Sequence, residues 1–247
     1  MINNEDRYDR QKRIRGWNQE KLKNARILIA GAGSMGNEII KNMALAGIGH
    51  ILILDMDIIE SANLSSTILF RANDAGLPRA LVAAEAARKI NPDIDVKYMY
   101  KDISFDSDAN FLRQTDIVVG GLDSIESRCR ARMLCSLASV PYIDAEMSAW
   151  AGEVRWFMPG DSCSECELDG QNVQDEFHND DSDENLDHPV TISTSSVVAG
   201  ILTREVLRYI FGNPVNSRET IIYNSMDLTL CRQKTPGFIN PECASCN

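Results

Sequence analysis

The chain has 247 residues, 44% hydrophobic and 25% charged, which is enough apolar material for one large globular domain with a sizeable core. Its formal net charge of −11 argues against a general nucleic-acid binder, because phosphate contacts need clustered Lys and Arg. The stretch Met1 to Arg10 is charged, and no apolar run nears the ~18 residues that span a bilayer, so the expectation is a cytoplasmic protein off the membrane, in which metal binding is a better default for cysteines than a disulfide scaffold.

In chain order, a polar N-terminal arm over residues 1–25 leads into Arg26 to Ala30 (RILIA), which reads as a buried strand. Met35 to Ala46 has the apolar spacing of a helix, and His50 to Asp55 (HILILD) is the next strand. Leu81 to Ile90 is Ala-rich and closed by Asn91-Pro92, a helix with a stop signal. Strands over Val96 to Tyr100 and Asp116 to Gly120 follow, then a helix from about Ser124 to Leu137. This alternation predicts βαβ units around a parallel sheet. After Pro141 the pattern changes to strands at Tyr142 to Ala145 and Glu153 to Met158, a long helix from Thr194 to Ile210, and strands at Thr220 to Asn224 and Leu228 to Arg232. The predicted architecture is α/β: a Rossmann-like, doubly wound, mainly parallel sheet extended by antiparallel strands. A single domain over 1–247 is expected, with a nucleotide-binding half over 26–145 and a second half over 146–247.

Gly31-Ala-Gly33-Ser34-Met-Gly36 fits G-x-G-x-x-G between a strand and a helix, the context in which glycines let a backbone approach phosphate and a helix N-terminus offers free N–H groups. Asp55 ends the next strand, 19 residues beyond Gly36, a spacing suited to ribose hydroxyls. The loop itself leaves open whether the nucleotide is a nicotinamide cofactor or ATP. Cys163-Ser-Glu-Cys166 and Cys243-Ala-Ser-Cys246 are two C-x-x-C pairs; one such pair can be redox-active, whereas two in a cytoplasmic chain most simply form a closed, structural zinc site.

The series Arg7-Tyr-Asp-Arg10-Gln11, GAGSMG, Asp55-Met-Asp57, Asn63-Leu64, Gly76-Leu-Pro-Arg79, Ile90-Asn-Pro92 and Gly121-Leu122-Asp123-Ser124, in that order, resembles the MoeB/ThiF/HesA branch of the ubiquitin-activating adenylyltransferase superfamily. The resemblance covers nearly the whole chain and implies ATP-dependent adenylation of a carboxylate, such as the C-terminus of a ubiquitin-like or sulfur-carrier protein. It implies that Gly31, Gly33, Ser34, Gly36, Asp57, Arg71, Arg79 and Leu122 contribute to the nucleotide site, that Asp55 binds ribose, that Asn63 and Arg79 place the phosphates, and that Asp123 holds magnesium. Arg10 aligns with an arginine lent across a dimer interface, which implies a homodimer. The family also has zinc where the four cysteines fall.

Two positions depart from the family pattern. Ser66 stands where the Asn-x-x-Arg-Gln motif has its phosphate-binding arginine, and a hydroxyl has neither the charge nor the fork of a guanidinium. Arg79 replaces the usual lysine, and Arg71 is near enough in sequence to substitute for the missing arginine. Between Cys166 and Cys231 there is no cysteine for an enzyme thioester; Cys129, Cys135 and Cys231 read as core residues. Residues 167–188, acidic and without Lys or Arg, correspond to the family's crossover loop and would favour a basic partner tail. Three functions are thus expected: an active homodimeric adenylating enzyme, a degenerate subunit of a heterodimeric activating enzyme, or a tailoring enzyme that activates an internal carboxylate of a ribosomal peptide.

Overall fold

A computed structural model describes residues 6–103, 109–161 and 190–235. Its strands are β1 (Arg26–Ala30), β2 (His50–Leu54), β3 (Asp95–Met99), β4 (Ile117–Gly120), β5 (Tyr142–Met147), β6 (Ala151–Phe157), β7 (Glu219–Asn224) and β8 (Thr229–Lys234). They form one eight-stranded sheet in the order β3-β2-β1-β4-β5-β6-β7-β8. The pairs from β3 to β5 are parallel and those from β5 to β8 antiparallel, as the change of pattern after Pro141 predicts.

The helices are α1 (Asp9–Lys12), α2 (Gln19–Asn24), α3 (Ser34–Ala46), α4 (Arg79–Ile90), α5 (Ala109–Leu112), α6 (Ile125–Ala138) and α7 (Ile192–Ile210). Because side chains alternate across a strand, the central strands bury two separate faces. Ile27, Ile29, Ile117, Val119 and Ile143 join the core formed with α3, α4 and α7. Leu28, Ala30, Val118 and Tyr142 join Ala131, Leu134 and Cys135 of α6 in the other. The near-continuous apolar runs of β1 and β4 are the sequence trace of that double burial.

Where boundaries differ from the sequence reading, local hydrogen bonds explain it. Helix α4 starts at Arg79 behind Pro78, whose φ of −60° suits a helix entrance. Helix α7 starts at Ile192, capped by the Thr191 hydroxyl accepting from the Thr194 N–H. Asp55 leaves β2 because its carboxylate turns back onto backbone N–H groups, and Asp116 stays outside β4 while its carboxylate accepts from the Arg26 N–H at 2.8 Å. Leu228 occupies the β7–β8 turn at φ +57°, not a strand. The four cysteines of the expected zinc site and residues 167–188 lie outside the described residues. Cys135 is buried as expected and Cys129 half-buried; Cys231, read as core, is instead exposed, because β8 is the sheet's outer strand and its side chains stand in solvent. Among the described residues no helix is long and apolar enough to cross a membrane.

Candidate nucleotide site

Strand β1 has β2 on one side and β4 on the other, and the chain leaves β1 toward α3 and β4 toward α6 on opposite faces. The carboxyl ends of β1 and β4 therefore diverge and open a crevice, the place where open parallel sheets take ligands. A pocket lies there, lined by Gly31, Asp55, Asp57, Arg79, Gly121, Leu122, Asp123 and Ser124 among others. Segments far apart in sequence, all singled out by the motifs, are brought to one cleft.

The glycine loop is shaped by close approach. Gly31 has φ +97°, and a Cβ there would lie 2.3 Å from the Gly121 carbonyl oxygen; one on Gly36 would lie 2.2 Å from that of Gly31. At Gly33 a Cβ would meet no protein atom within 4 Å, so the protein's own packing does not demand glycine there. Gly33 is the N-cap of α3, whose first-turn N–H groups have no acceptor within the helix, an arrangement suited to an anion such as phosphate.

Asp55 is buried, with one carboxylate oxygen accepting from Ala32 N–H at 2.7 Å and the other from Asp57 N–H at 2.8 Å. Burial pushes its pKa up, and those two N–H donors oppose the shift. Each oxygen keeps a lone pair for a ribose hydroxyl. Arg79 pairs with Asp57 at 2.8 Å and reaches the Asn63 amide oxygen at 3.2 Å, so three of the expected residues form one chain of contacts. Its Nε is buried with no hydrogen-bond partner among the described residues. Ser34 turns its hydroxyl to Ser195 (2.8 Å) and to the Ser66 carbonyl (3.1 Å), leaving its backbone N–H among the first-turn donors of α3.

Ser66 thus lies beside the glycine loop, its carbonyl accepting from the Ser34 hydroxyl. Arg71 does not line the pocket; its guanidinium donates to the carbonyls of Ile68 (2.7 Å) and Phe70 (2.8 Å) in its own loop. Arg10 lies exposed on α1, away from the pocket of its own chain, while neighbouring Gln11 ties that arm to Gln19 and the Ala46 carbonyl.

Four groups of functional weight escaped the sequence reading. Lys101, Asp102 and Ile103 line the pocket just past β3; the rule that open sheets bind at the carboxyl ends of their strands points to them. Asn37 is fully buried on α3, donating to the Ala32 (2.6 Å) and Gly33 (3.0 Å) carbonyls and accepting from Leu69 N–H (2.9 Å). A polar residue on the apolar side of a helix was its signal. Arg128 reaches Leu122 and Asp123 from α6, and Asp144 lies buried behind it, its carboxyl pushed up to about 6 by burial against the opposing charge of Arg128. Burial also pushes the Cys135 thiol up to about 12, which makes it a packing residue rather than a nucleophile.

Asp55, Asp57, Asp102 and Asp123 face only Arg79 and Lys101 as charged lining groups. A polyphosphate would add to that negative excess, and among the described residues no group of three or more Asp, Glu, His or Cys side chains is gathered closely enough to hold a metal ion by itself.

A family model described as ThiF matches residues 8–245. SUMO-activating enzyme subunit 2 of Dictyostelium discoideum is 33% identical over 150 residues, which are 60% of this chain and 23% of that protein. The chain thus spans about a quarter of that relative's length. E. coli MccB solved with AMPCPP and MccA superposes with a TM-score of 0.77 at 26% identity, covering 99% of this chain and 75% of that one. MccB solved with ATP gives 0.74 at 25% identity, over 93% and 68%. With the family model matched almost end to end, the chain belongs to the ThiF family.

Proposed function

We propose that this chain uses ATP to adenylate a carboxylate at the C-terminus of a peptide or of a ubiquitin-like or sulfur-carrier protein. The observation that carries this reading is the cleft itself: a glycine cradle, a ribose-type carboxylate and an acid-rich wall at the switch point, in a fold that matches MccB solved with ATP over 93% of the chain. A substrate carboxylate oxygen attacks the α-phosphorus, the bond to the α,β-bridging oxygen breaks, and pyrophosphate leaves with that electron pair. An acyl adenylate remains. The protein's part is alignment and charge: Asp55 takes the ribose, the first turn of α3 and Asn63 with Arg79 take the phosphates, and Asp123 holds magnesium. Magnesium, when bound, supplies the charge that lets phosphate oxygens sit among four carboxylates.

The adenylate passes to its acceptor without an enzyme thioester, and Arg10 completes the site of the second subunit of a homodimer. Cys163, Cys166, Cys243 and Cys246 hold one structural zinc, which about one zinc per chain after gentle purification would support and a metal-free protein would refute. A second reading rests on Ser66: a subunit that has lost its phosphate arginine and serves a catalytic partner.

ATP–pyrophosphate exchange by the purified chain, with candidate carrier proteins and peptides, separates the two. Carboxylate-dependent exchange is the expected result. ATP binding with no exchange favours the partner-dependent subunit, and calorimetry showing tight NAD binding with none for ATP and magnesium would overturn both.

A further inference from the structure

Asp123 stands in the irregular stretch between β4 and α6, three residues past the end of the β4 ladder. Arg128, in the first turns of α6, folds back over that stretch. Its Nε donates to the Leu122 carbonyl at 2.8 Å and an Nη reaches the Asp123 carbonyl at 3.5 Å. On β5, Glu146 pairs with one Nη at 2.6 Å, and the buried Asp144 lies 3.9 Å from the same Nε that donates to Leu122. The Arg128 side chain is only 12% exposed and Glu146 is 42% exposed, so the network runs from the interior beside Tyr142 to the surface.

A buried ion pair gives little stability over a well-packed apolar substitute, because desolvation offsets the attraction. What an apolar residue cannot do is donate to two successive carbonyls while paired with one carboxylate and lying beside the charge of a second. The planar fork of arginine does both, and a lysine ammonium, a single point of charge, does not. Gly120, at the end of β4, leaves the room this arrangement needs: a Cβ there would lie 2.3 Å from Asp144 Oδ1.

We propose that Arg128 is a positioning residue for adenylation, fixing the Leu122 and Asp123 peptide units so that Asp123 stays at the pocket wall, with Asp144 and Glu146 holding the guanidinium in place. This rests on the functional reading above. Arg128→Lys is expected to leave the melting temperature and magnesium-free ATP affinity nearly unchanged, to lower the exchange kcat by roughly 10- to 100-fold, and to raise the magnesium concentration for half-maximal rate by about tenfold. Glu146→Gln, at a half-exposed position that folding tolerates, is expected to shift the magnesium requirement in the same direction by a smaller factor. Wild-type magnesium dependence in either folded variant, or losses that merely track a fall in melting temperature, would overturn the proposal. Should Arg128→Lys fail to fold, Glu146→Gln alone decides it. A wild-type chain that neither binds magnesium-ATP nor exchanges pyrophosphate defeats the functional reading and this proposal with it, an outcome visible before any variant is made.

Discussion

Asp123→Ala is expected to lower carboxylate-dependent pyrophosphate exchange by roughly 10²- to 10³-fold, with the protein still folded. The residue is exposed at the pocket wall three positions past β4, so its side chain is removed without opening a cavity. The cost falls on charge: the pocket holds Asp55, Asp57, Asp102 and Asp123 against Arg79 and Lys101, and a bound polyphosphate needs a cation among them. Of these acids, Asp55 is occupied by the Ala32 and Asp57 N–H groups and Asp57 is paired with Arg79. On the functional reading proposed above Asp123 is the magnesium ligand, and its loss is not made good by Asp55 or Asp57, whose oxygens are engaged elsewhere. Exchange assays over a magnesium series for wild type, Asp123→Asn and Asp123→Ala provide the check. Full activity of the alanine variant at ordinary magnesium would remove Asp123 from the metal role.

The second large effect is on stability. Asn37→Ala removes the fully buried amide that partners the Ala32 carbonyl and the Leu69 N–H, while the Gly33 carbonyl keeps the backbone N–H of residue 37. Stranded buried polar groups cost about 1–3 kcal/mol each, and partial relaxation brings the expected total to about 2–5 kcal/mol. Because the carbonyls belong to the glycine loop and Leu69 to the segment after Ser66, ATP affinity should fall together with the urea midpoint. A loss of under about 1 kcal/mol would show that the loop holds its shape through glycine packing alone.

The sheet and most helices are legible in the sequence because their signals are local. Apolar runs in β1 and β4, the 3.6-residue spacing of α3, and Asn91-Pro92 after α4 each act within a few residues. The glycine loop and Asp55 are legible for the same reason, since strand, turn and helix follow one another along the chain. The family motifs carried Asn63, Arg79 and Asp123 to the cleft without stating how they meet there.

Contacts made across the fold have no such local trace. Ser34 finds its hydroxyl partner in Ser195, 161 positions away, and Arg71, near in sequence to Ser66, turns onto its own loop instead of into the pocket. Lys101 reaches the cleft because β3 lies next to β2 in parallel, and Arg128 meets Asp144 because β5 follows β4 in the sheet order. What the sequence determined by itself is the class of fold and the glycine turn between β1 and α3, for backbone periodicity and glycine conformation are properties of neighbouring residues. Which charges surround that loop, and which side chains hold it in place, was decided only by the tertiary structure, because strand order sets those distances and no local pattern encodes strand order.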